Sequence, residues 1–251
     1  MRRRDPRPAG RRPRSGSRPA IRQDRGMRNS AMVSGGLALI LLVLVAAEWS
    51  PLLAFDRSVD EALHRHALAH PGLTRVNRVL SDWVWDPWTL RALAVVVALL
   101  LLRRGHRRLA LWVVGTLLAA AGVQQGVKAL VGRERPVWRE PVDTASFAAF
   151  PSGHAMTAAV VCGLLLWVFA LVGREPWYGW GTAVGLAVVS VLGVGWTRVH
   201  LGVHWPSDVL AGWLMGWCCV AVAVVAYRRR TGGGPLPAPT GESRERGGEG
   251  T

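Results

Sequence analysis

The residues best suited to chemistry lie in RVHLGVHWPSD, residues 198–208, between two long apolar runs. His204 and Asp208 are four positions apart, so the carboxylate can hold one ring nitrogen of the imidazole. The other nitrogen is then free to act as a nucleophile, and Arg198 can bind a phosphate oxygen through its planar guanidinium. An H-x-x-x-D pair alone is more often structural than catalytic, so its meaning depends on what accompanies it.

The segment KALVGRERP, residues 128–136, supplies two further cations, Lys128 and Arg135. Lys128 is the only lysine in a chain that otherwise uses arginine, which indicates a specific requirement for an ammonium group. Phosphoryl transfer depends mainly on the placement of such charges. With Arg198, these residues predict a site for a phosphate dianion that needs neither a metal ion nor a cofactor.

The tetrapeptide PSGH, residues 151–154, predicts the start of a helix beside that site. Ser152 suits the N-cap position, and Gly153 allows an anion to approach the free amides of the first turn. His154 can protonate the leaving oxygen and then activate water. A lone PSGH is more often a simple helix cap, but its combination with the other two segments predicts one shared site.

Apolar blocks of roughly 18–20 residues, the length that crosses ~30 Å of hydrocarbon, flank these segments. We predict an all-α, six-transmembrane-helix bundle. Its spans are predicted at residues 31–49, 88–102, 109–131, 155–172, 178–197 and 209–227. The first block could instead be a signal peptide, but it is long for one and lacks a convincing cleavage site. Six spans place all three polar segments on the same face of the membrane.

The remaining segments are polar or basic. Residues 1–30 and 231–251 are predicted to be disordered tails around a membrane domain of residues 31–230, and residues 50–87 to be a polar surface loop with a short amphipathic helix. A net charge of +15 could indicate nucleic-acid binding, but arginines beside apolar spans more often mark the cytoplasmic side. We therefore expect no nucleic-acid partner, cytoplasmic termini and an extracytoplasmic site.

Other polar residues receive structural interpretations. Arg91 is expected to snorkel or to face protein, Arg133 to contact substrate or lipid or to be a rim charge, and His200 to line the pocket. Solvated histidines are expected at His64, His66 and His70. We expect Gln124 and Gln125 to hydrogen-bond between helices. We expect Asp82 and Asp86 to cap helices or to lie at the surface.

The combination K-x6-RP, PSGH and R-x5-H-x3-D resembles the signature of the type 2 phosphatidic acid phosphatase (PAP2) superfamily. The matching residues are Lys128, Arg135 and Pro136, then residues 151–154, then Arg198, His204 and Asp208. Thr197 stands where the family usually has serine, which preserves the hydroxyl group. A match in three separate parts is far more specific than any one of them.

The resemblance implies a bundle of the PAP2/haloperoxidase type and a metal-independent phosphohistidine mechanism, with His204 as nucleophile and His154 as acid and base. Family substrates include phosphatidic acid, phosphatidylglycerophosphate and undecaprenyl pyrophosphate. The expected partners are therefore a lipid phosphate or pyrophosphate and membrane lipids; the oligomeric state stays open. The membrane spans argue against soluble haloperoxidase activity. The alternative is a catalytically silent lipid-binding or scaffold protein that keeps the same pocket.

Overall fold

The structure is a computed structural model that describes the backbone of residues 17–172 and 177–231 and the side chains of residues 24–172 and 178–231. Every regular element in these ranges is helical, which confirms the all-α prediction. The α-helices are α1 (Ser17–Ala46), α2 (Ser50–Ala69), α3 (Pro71–Val79), α4 (Pro87–Arg103), α5 (Arg107–Val131), α6 (Gly153–Val172), α7 (Trp177–His200) and α8 (Pro206–Thr231). A π-helical turn, Leu80–Val84, joins α3 to α4.

Six helical segments in the described part of the chain are long and apolar enough to cross a membrane, as predicted. They are Asp24–Ala46, Pro71–Arg103, Arg107–Val131, Gly153–Val172, Tyr178–His200 and Pro206–Thr231. Large apolar side chains such as Leu39, Leu111 and Leu186 remain exposed on the outside of the bundle. Extended apolar surface of this kind marks a membrane-facing protein, so the chain is a multi-pass membrane protein.

Helix α6 occupies the centre of the bundle and contacts α4, α5, α7 and α8. The close approach of α8 depends on two glycines. A Cβ atom at Gly212 would lie 2.8 Å from the Ser152 carbonyl oxygen, and one at Gly216 would lie 2.8 Å from the Met156 carbonyl oxygen. Small residues at such contacts let the backbones of spanning helices touch. The N-terminal ends of α6 and α8 therefore meet, and the Ser152 amide donates to the Asp208 carbonyl at 3.0 Å.

The segment 50–87 differs from the predicted surface loop, because α2 and α3 make up most of it. Helix α2 packs against α7 and α8 and buries Asp56, Asp60 and His64, which are spaced one helical turn apart. The prediction was wrong because α2 turns a polar face toward its neighbours. The apolar periodicity that identifies a packed helix is therefore weak in this segment.

The predicted N-terminal tail also differs from the structure, because α1 begins at Ser17 and residues 17–30 are helical. Arginine is a good helix former, and a helix nucleated by an apolar run extends at little cost into such residues. Asp24 Oδ1 pairs with Arg228 Nη1 of α8 at 3.1 Å, which ties this extension to the bundle. Residues 1–16, the 173–176 loop and residues 232–251 of the predicted C-terminal tail lie outside the described residues.

Candidate active site

The three polar segments meet at one end of the bundle. They are the C-terminal end of α5 with the loop after it, the N-terminal end of α6, and the turn between α7 and α8. His154 interacts electrostatically with Arg198, His204, Arg135 and Lys128, so these side chains share one region. Residues 128 and 204 are far apart in the chain. The membrane-spanning helices and the short α7–α8 turn bring them together.

His204 lies in the α7–α8 turn and is only 1% exposed. Its Nε2 lies 3.1 Å from Arg135 Nη1, and its Nδ1 lies 3.5 Å from Asp208 Oδ2. Burial lowers the pKa of His204 well below its usual value, and the cations Arg135, Arg198 and Lys128 lower it further. The ring is therefore neutral at neutral pH. Because Arg135 can only donate, Nε2 accepts that hydrogen bond with its lone pair, and the ring proton sits on Nδ1 facing the carboxylate.

Asp208 is fully buried in the first turn of α8. Its Oδ1 accepts a hydrogen bond from Arg133 Nη1 at 2.5 Å, and its Oδ2 accepts one from the Trp205 amide at 3.0 Å. The N-terminal end of a helix also favours a negative charge. The carboxylate is thus held in place and can stabilise an imidazolium on His204.

The three predicted cations lie around His204, and each already has hydrogen-bond partners. Lys128 Nζ donates to the Ala148 carbonyl. Arg135 donates to the carbonyls of residues 146, 147 and 203 at 3.0, 2.9 and 2.5 Å. Burial lowers the pKa of Arg135, and the Asp208 charge partly offsets that effect. Arg198 is 4% exposed and donates through Nη1 to Ser81 Oγ at 2.7 Å, while its Nε has no partner among the described residues.

Ser152 precedes α6, as the PSGH pattern predicts. Its carbonyl accepts the Met156 amide at 3.0 Å, which begins the helix. Its hydroxyl is buried and makes no hydrogen bond to any described residue, so it caps the helix through its backbone only. Buried hydroxyl groups are normally hydrogen-bonded. Ser152 Oγ therefore lies buried without a partner among the described residues, next to the partly exposed Gly153 and His154.

Sequence reasoning missed the group that holds Asp208. Arg133, interpreted as a substrate contact or rim charge, bridges two buried carboxylates: its Nη2 lies 2.7 Å from Asp56 Oδ2, and its Nη1 contacts Asp208. Asp56 also accepts the Ser207 amide at 2.9 Å and the Ser207 hydroxyl at 2.5 Å. The available signal was the spacing of Asp56, Asp60 and His64, three polar residues on one face of a helix.

Asp60 lies in the same polar cluster and is completely buried. Neither carboxylate oxygen has a hydrogen-bond partner among the described residues. Burial raises the pKa of Asp60 to about 8, and repulsion from Asp208 and Asp56 adds to the rise, whereas Arg133 opposes it. At neutral pH Asp60 is therefore a neutral carboxylic acid.

The prediction that the histidines of α2 are solvated was wrong for His64 and His66. His64 is buried and stacks on Trp138 with ring centroids 4.0 Å apart, and burial lowers its pKa. His66 Nδ1 lies 3.2 Å from His200 Nε2, and Asn77 Nδ2 lies 3.0 Å from His200 Nδ1. His200 therefore joins α7 to α2 and α3.

The remaining polar residues agree only in part with the predictions. His70 and Asp82 are exposed, as predicted. Asp86 caps α4 by accepting the Trp88 and Thr89 amides. Gln124 is buried and Gln125 is exposed. Neither makes the predicted interhelical hydrogen bond within the described part of the chain.

Among the proteins similar to this chain are two that are named as phosphatases of lipid phosphates. Phosphatidylglycerophosphatase B of Escherichia coli (strain K12) is 39% identical over 97 residues, which cover 39% of this chain and 35% of that protein. The match thus spans about a third of that relative's length. Decaprenylphosphoryl-5-phosphoribose phosphatase of Mycobacterium tuberculosis (strain CDC 1551 / Oshkosh) is 35% identical over 167 residues, covering 63% of this chain and 83% of that protein.

The fold has a match among solved structures, the transmembrane PAP2-type phosphatidylglycerolphosphate phosphatase of Bacillus subtilis. The TM-score is 0.69 at 23% identity, and the match covers 78% of this chain and 96% of that one. The sequence profile of the PAP2 superfamily matches residues 109–232, which contain all three motifs. On the motifs, the bundle and the extended M. tuberculosis match, this chain belongs to the PAP2 superfamily and has the fold of its membrane phosphatases.

Proposed function

We propose that this protein is a lipid phosphatase that removes a phosphate group through a phosphohistidine intermediate on His204. The observation that carries the proposal is the environment of His204: a neutral imidazole whose Nε2 faces Arg135 and whose Nδ1 faces Asp208. A ring in this tautomer has its lone pair on the nitrogen that faces the cations. A phosphate bound by those cations would therefore lie next to the nucleophile.

In the first step, Lys128, Arg135 and Arg198 bind the phosphate oxygens, and Ser152 Oγ and the Gly153 amide complete the cradle. Arg135 exchanges its contact with Nε2 for one with the phosphate. His204 Nε2 then bonds to phosphorus as the bond from phosphorus to the lipid oxygen breaks. His154, which takes up a proton when the phosphate anion binds beside it, donates that proton to the lipid oxygen. Asp208 stabilises the positive charge that develops on His204.

In the second step, the nitrogen–phosphorus bond is hydrolysed. The lipid alcohol or lipid phosphate departs, and His154, now neutral, accepts a proton from a water molecule. The resulting hydroxide equivalent attacks phosphorus, and His204 leaves with its electron pair restored. Inorganic phosphate is the product, and both histidines return to their initial protonation states. Arginine and lysine supply the positive charge in both steps, so we propose that no divalent metal is required.

The substrate class follows from the membrane setting and from the relatives. The proposed phosphate site lies at the ends of candidate membrane-spanning helices, where a lipid headgroup can reach it. The relatives are named for phosphatidylglycerophosphate and for a decaprenyl-linked phosphate. We propose a phosphate monoester or pyrophosphate of a lipid, of the phosphatidic acid, phosphatidylglycerophosphate or undecaprenyl pyrophosphate type.

We further propose that both termini are cytoplasmic and that the site is extracytoplasmic. Arginines cluster in the N-terminal region, in the loop of residues 103–108 and after residue 227. With six spans, these basic regions fall on the side of the membrane opposite the site, and basic loops mark the cytoplasmic side. A cysteine introduced at Arg139, which is exposed in the loop between α5 and α6, should react with an impermeant maleimide in intact cells. Protection until the cells are lysed would place the site in the cytoplasm.

The direct test is phosphate release from phosphatidic acid, phosphatidylglycerophosphate and undecaprenyl pyrophosphate by the purified protein in detergent. We expect release from at least one lipid, loss of release in His204→Ala, and unchanged activity in EDTA. Thermal unfolding of the variant controls for folding. Full activity of a folded His204→Ala variant would contradict the mechanism, and strict dependence on an added divalent metal would contradict metal independence.

A further inference from the structure

An apolar groove of about 680 Å³ runs along the outside of the bundle between α1, α5 and α8. Helix α8 forms its floor, because both other helices pack against α8. The walls include small residues, Gly35 and Ala38 on α1 and Gly115 and Ala119 on α5. A Cβ atom at Gly115 would meet no other atom within 4 Å. The small side chains therefore leave a space between α1 and α5 that the described part of the chain does not fill.

The apolar groove matches the hydrocarbon chains of one leaflet in length and polarity. On α5 it extends from Leu111 to Val123, a rise of about 18 Å, and half of a hydrocarbon core of about 30 Å is about 15 Å. Its few polar lining groups are satisfied within the protein. The Thr116 hydroxyl donates to the Trp112 carbonyl at 2.8 Å, and the Trp112 indole donates to the Ala223 carbonyl at 3.0 Å. The apolar groove therefore suits acyl chains.

A basic pocket adjoins the apolar groove at the end away from the proposed site. Val222 and Ala226 line both the groove and this pocket, a cavity of about 400 Å³. Both residues lie in the second half of α8, whereas the proposed site lies at its start. Three arginines border the basic pocket, Arg28 of α1 and Arg229 and Arg230 of α8. None of the described residues that line the groove belongs to the proposed phosphate site, so the groove continues into the arginines and not into the site.

The positive charge of the basic pocket is not neutralised within the described part of the chain, where its three arginines form no ion pair. Arg230 places its guanidinium over the Trp112 ring, 5.3 Å from the centroid. The nearby Asp24 carboxylate is already paired with Arg228 at 3.1 Å. Guanidinium groups bind phosphate oxygens well. Basic residues at this end also follow from membrane topology, but topology alone does not require them to border the mouth of a groove.

We propose that the apolar groove and the basic pocket together bind one anionic glycerophospholipid from the leaflet opposite the proposed site. Its phosphate contacts Arg28, Arg229 and Arg230, and its acyl chains lie along the groove. Basic pockets between spanning helices are suited to such headgroups. This lipid is not a substrate, because the pocket lies at the other end of the spans from His204. The inference goes beyond the proposed phosphatase function and does not depend on it.

The test is native mass spectrometry of the purified protein in detergent, with phosphatidylglycerol and phosphatidylcholine of identical acyl chains as probes. The wild-type protein should bind one phosphatidylglycerol more tightly than phosphatidylcholine. In the double variant Arg28→Gln/Arg229→Gln, affinity for phosphatidylglycerol should fall roughly 5- to 30-fold, the effect expected for one or two arginines at an anionic headgroup. Affinity for phosphatidylcholine should change much less.

The matched control is the double variant Arg103→Gln/Arg104→Gln. It removes two exposed arginines from the same end of the bundle, and neither borders the groove or the basic pocket. It should bind phosphatidylglycerol as the wild-type protein does. Equal losses in the two double variants would show a general attraction between lipid and a basic surface and would overturn the proposal.

A second pair of variants tests the groove itself. Gly115→Leu places a side chain in the groove and should weaken phosphatidylglycerol binding. Gly122→Leu, an exposed position on the same helix that also has open space around it but does not line the groove, should not. Thermal unfolding without lipid controls for folding, and if Gly115→Leu does not fold, the arginine variants decide.

Three results would overturn the proposal. The first is equal affinity of the wild-type protein for the two lipids. The second is phosphatidylglycerol binding that is lost in Arg135→Gln and kept in the groove and pocket variants, which would place the lipid at the proposed phosphate site. The third is a dimer that Gly115→Leu dissociates without any effect on lipid binding, which would assign the groove to a second copy of the chain.

Discussion

Asp208 and Asp60 are fully buried carboxylates in one polar cluster, but they differ in their hydrogen-bond donors. Asp208 accepts hydrogen bonds from Arg133 and a backbone amide. Asp60 has no partner among the described residues, and its pKa rises to about 8. Asp208 is held as an anion beside His204, and Asp60 is held as a neutral acid. The number of donors, more than the depth of burial, decides which form a buried aspartate takes.

Two regions of the molecule contribute differently to the site. The motif region, formed by the ends of α5 and α6 and the α7–α8 turn, contains the groups proposed to touch phosphate. Helix α2 contains no recognisable motif, but through Asp56 it holds Arg133 and Ser207, which fix the start of α8. The proposed nucleophile, His204, is therefore positioned by a helix that contributes no group to the proposed reaction.

The largest expected effect comes from the carboxylate that faces His204. Asp208→Asn keeps the shape of the side chain but removes the charge that stabilises the imidazolium. We expect kcat to fall on the order of 10³–10⁴-fold, as in other histidine–aspartate pairs. Steady-state phosphate release by purified protein measures this, with Glu61→Gln, which removes an exposed charge on α2, as the control. A decrease below about tenfold would remove Asp208 from the proposed mechanism.

A smaller effect is expected one contact further away. Asp56→Asn leaves Arg133 with one carboxylate in place of two and loosens the Ser207 contact that fixes the first turn of α8. We expect a decrease in kcat of roughly 10- to 100-fold, since small displacements of reacting groups have effects of this size, and little change in KM. If Asp56 only stabilised the fold, activity per correctly folded molecule would be unchanged.

The smallest effect concerns Asp60, where the substitution is expected to stabilise the protein. Its folded pKa of about 8 exceeds the unfolded value of about 3.9, so between these pH values the folded protein binds more protons than the unfolded chain. Stability therefore falls as pH rises through this range. Asp60→Asn removes the ionisable group and should raise Tm by a few degrees near pH 8, with little change near pH 4.

Differential scanning fluorimetry in detergent at the two pH values measures this shift. The isosteric Asp56→Asn variant is the control, because Asp56 is buried with charged and neutral donors around it and its loss should lower Tm. A lower Tm for Asp60→Asn near pH 8 would show that Asp60 is stabilising as an anion.

The sequence predicted the spans and the meeting of the motif residues because both depend on strong local signals. Apolar length identifies the spans, and helix order then brings Lys128, Ser152 and His204 to one end. The contribution of α2 could not be predicted in this way, because Asp56 and Asp60 form a polar helical face that resembles a solvated one. Their burial depends on partners that are distant in the chain, such as Arg133 and Ser207.

The most direct test of the account is the identification of the residue that carries the phosphoryl group. In His154→Ala, hydrolysis of the intermediate should be slowed more than its formation whenever the leaving group needs no proton, as for a lipid diphosphate. The variant is mixed with a substrate labelled in its outer phosphate, and the reaction is rapidly quenched. The protein should then carry a labelled phosphate that is stable in alkali and labile in acid. Mass spectrometry should locate it on His204. Label on another residue, or the same label in His204→Ala, would contradict the account.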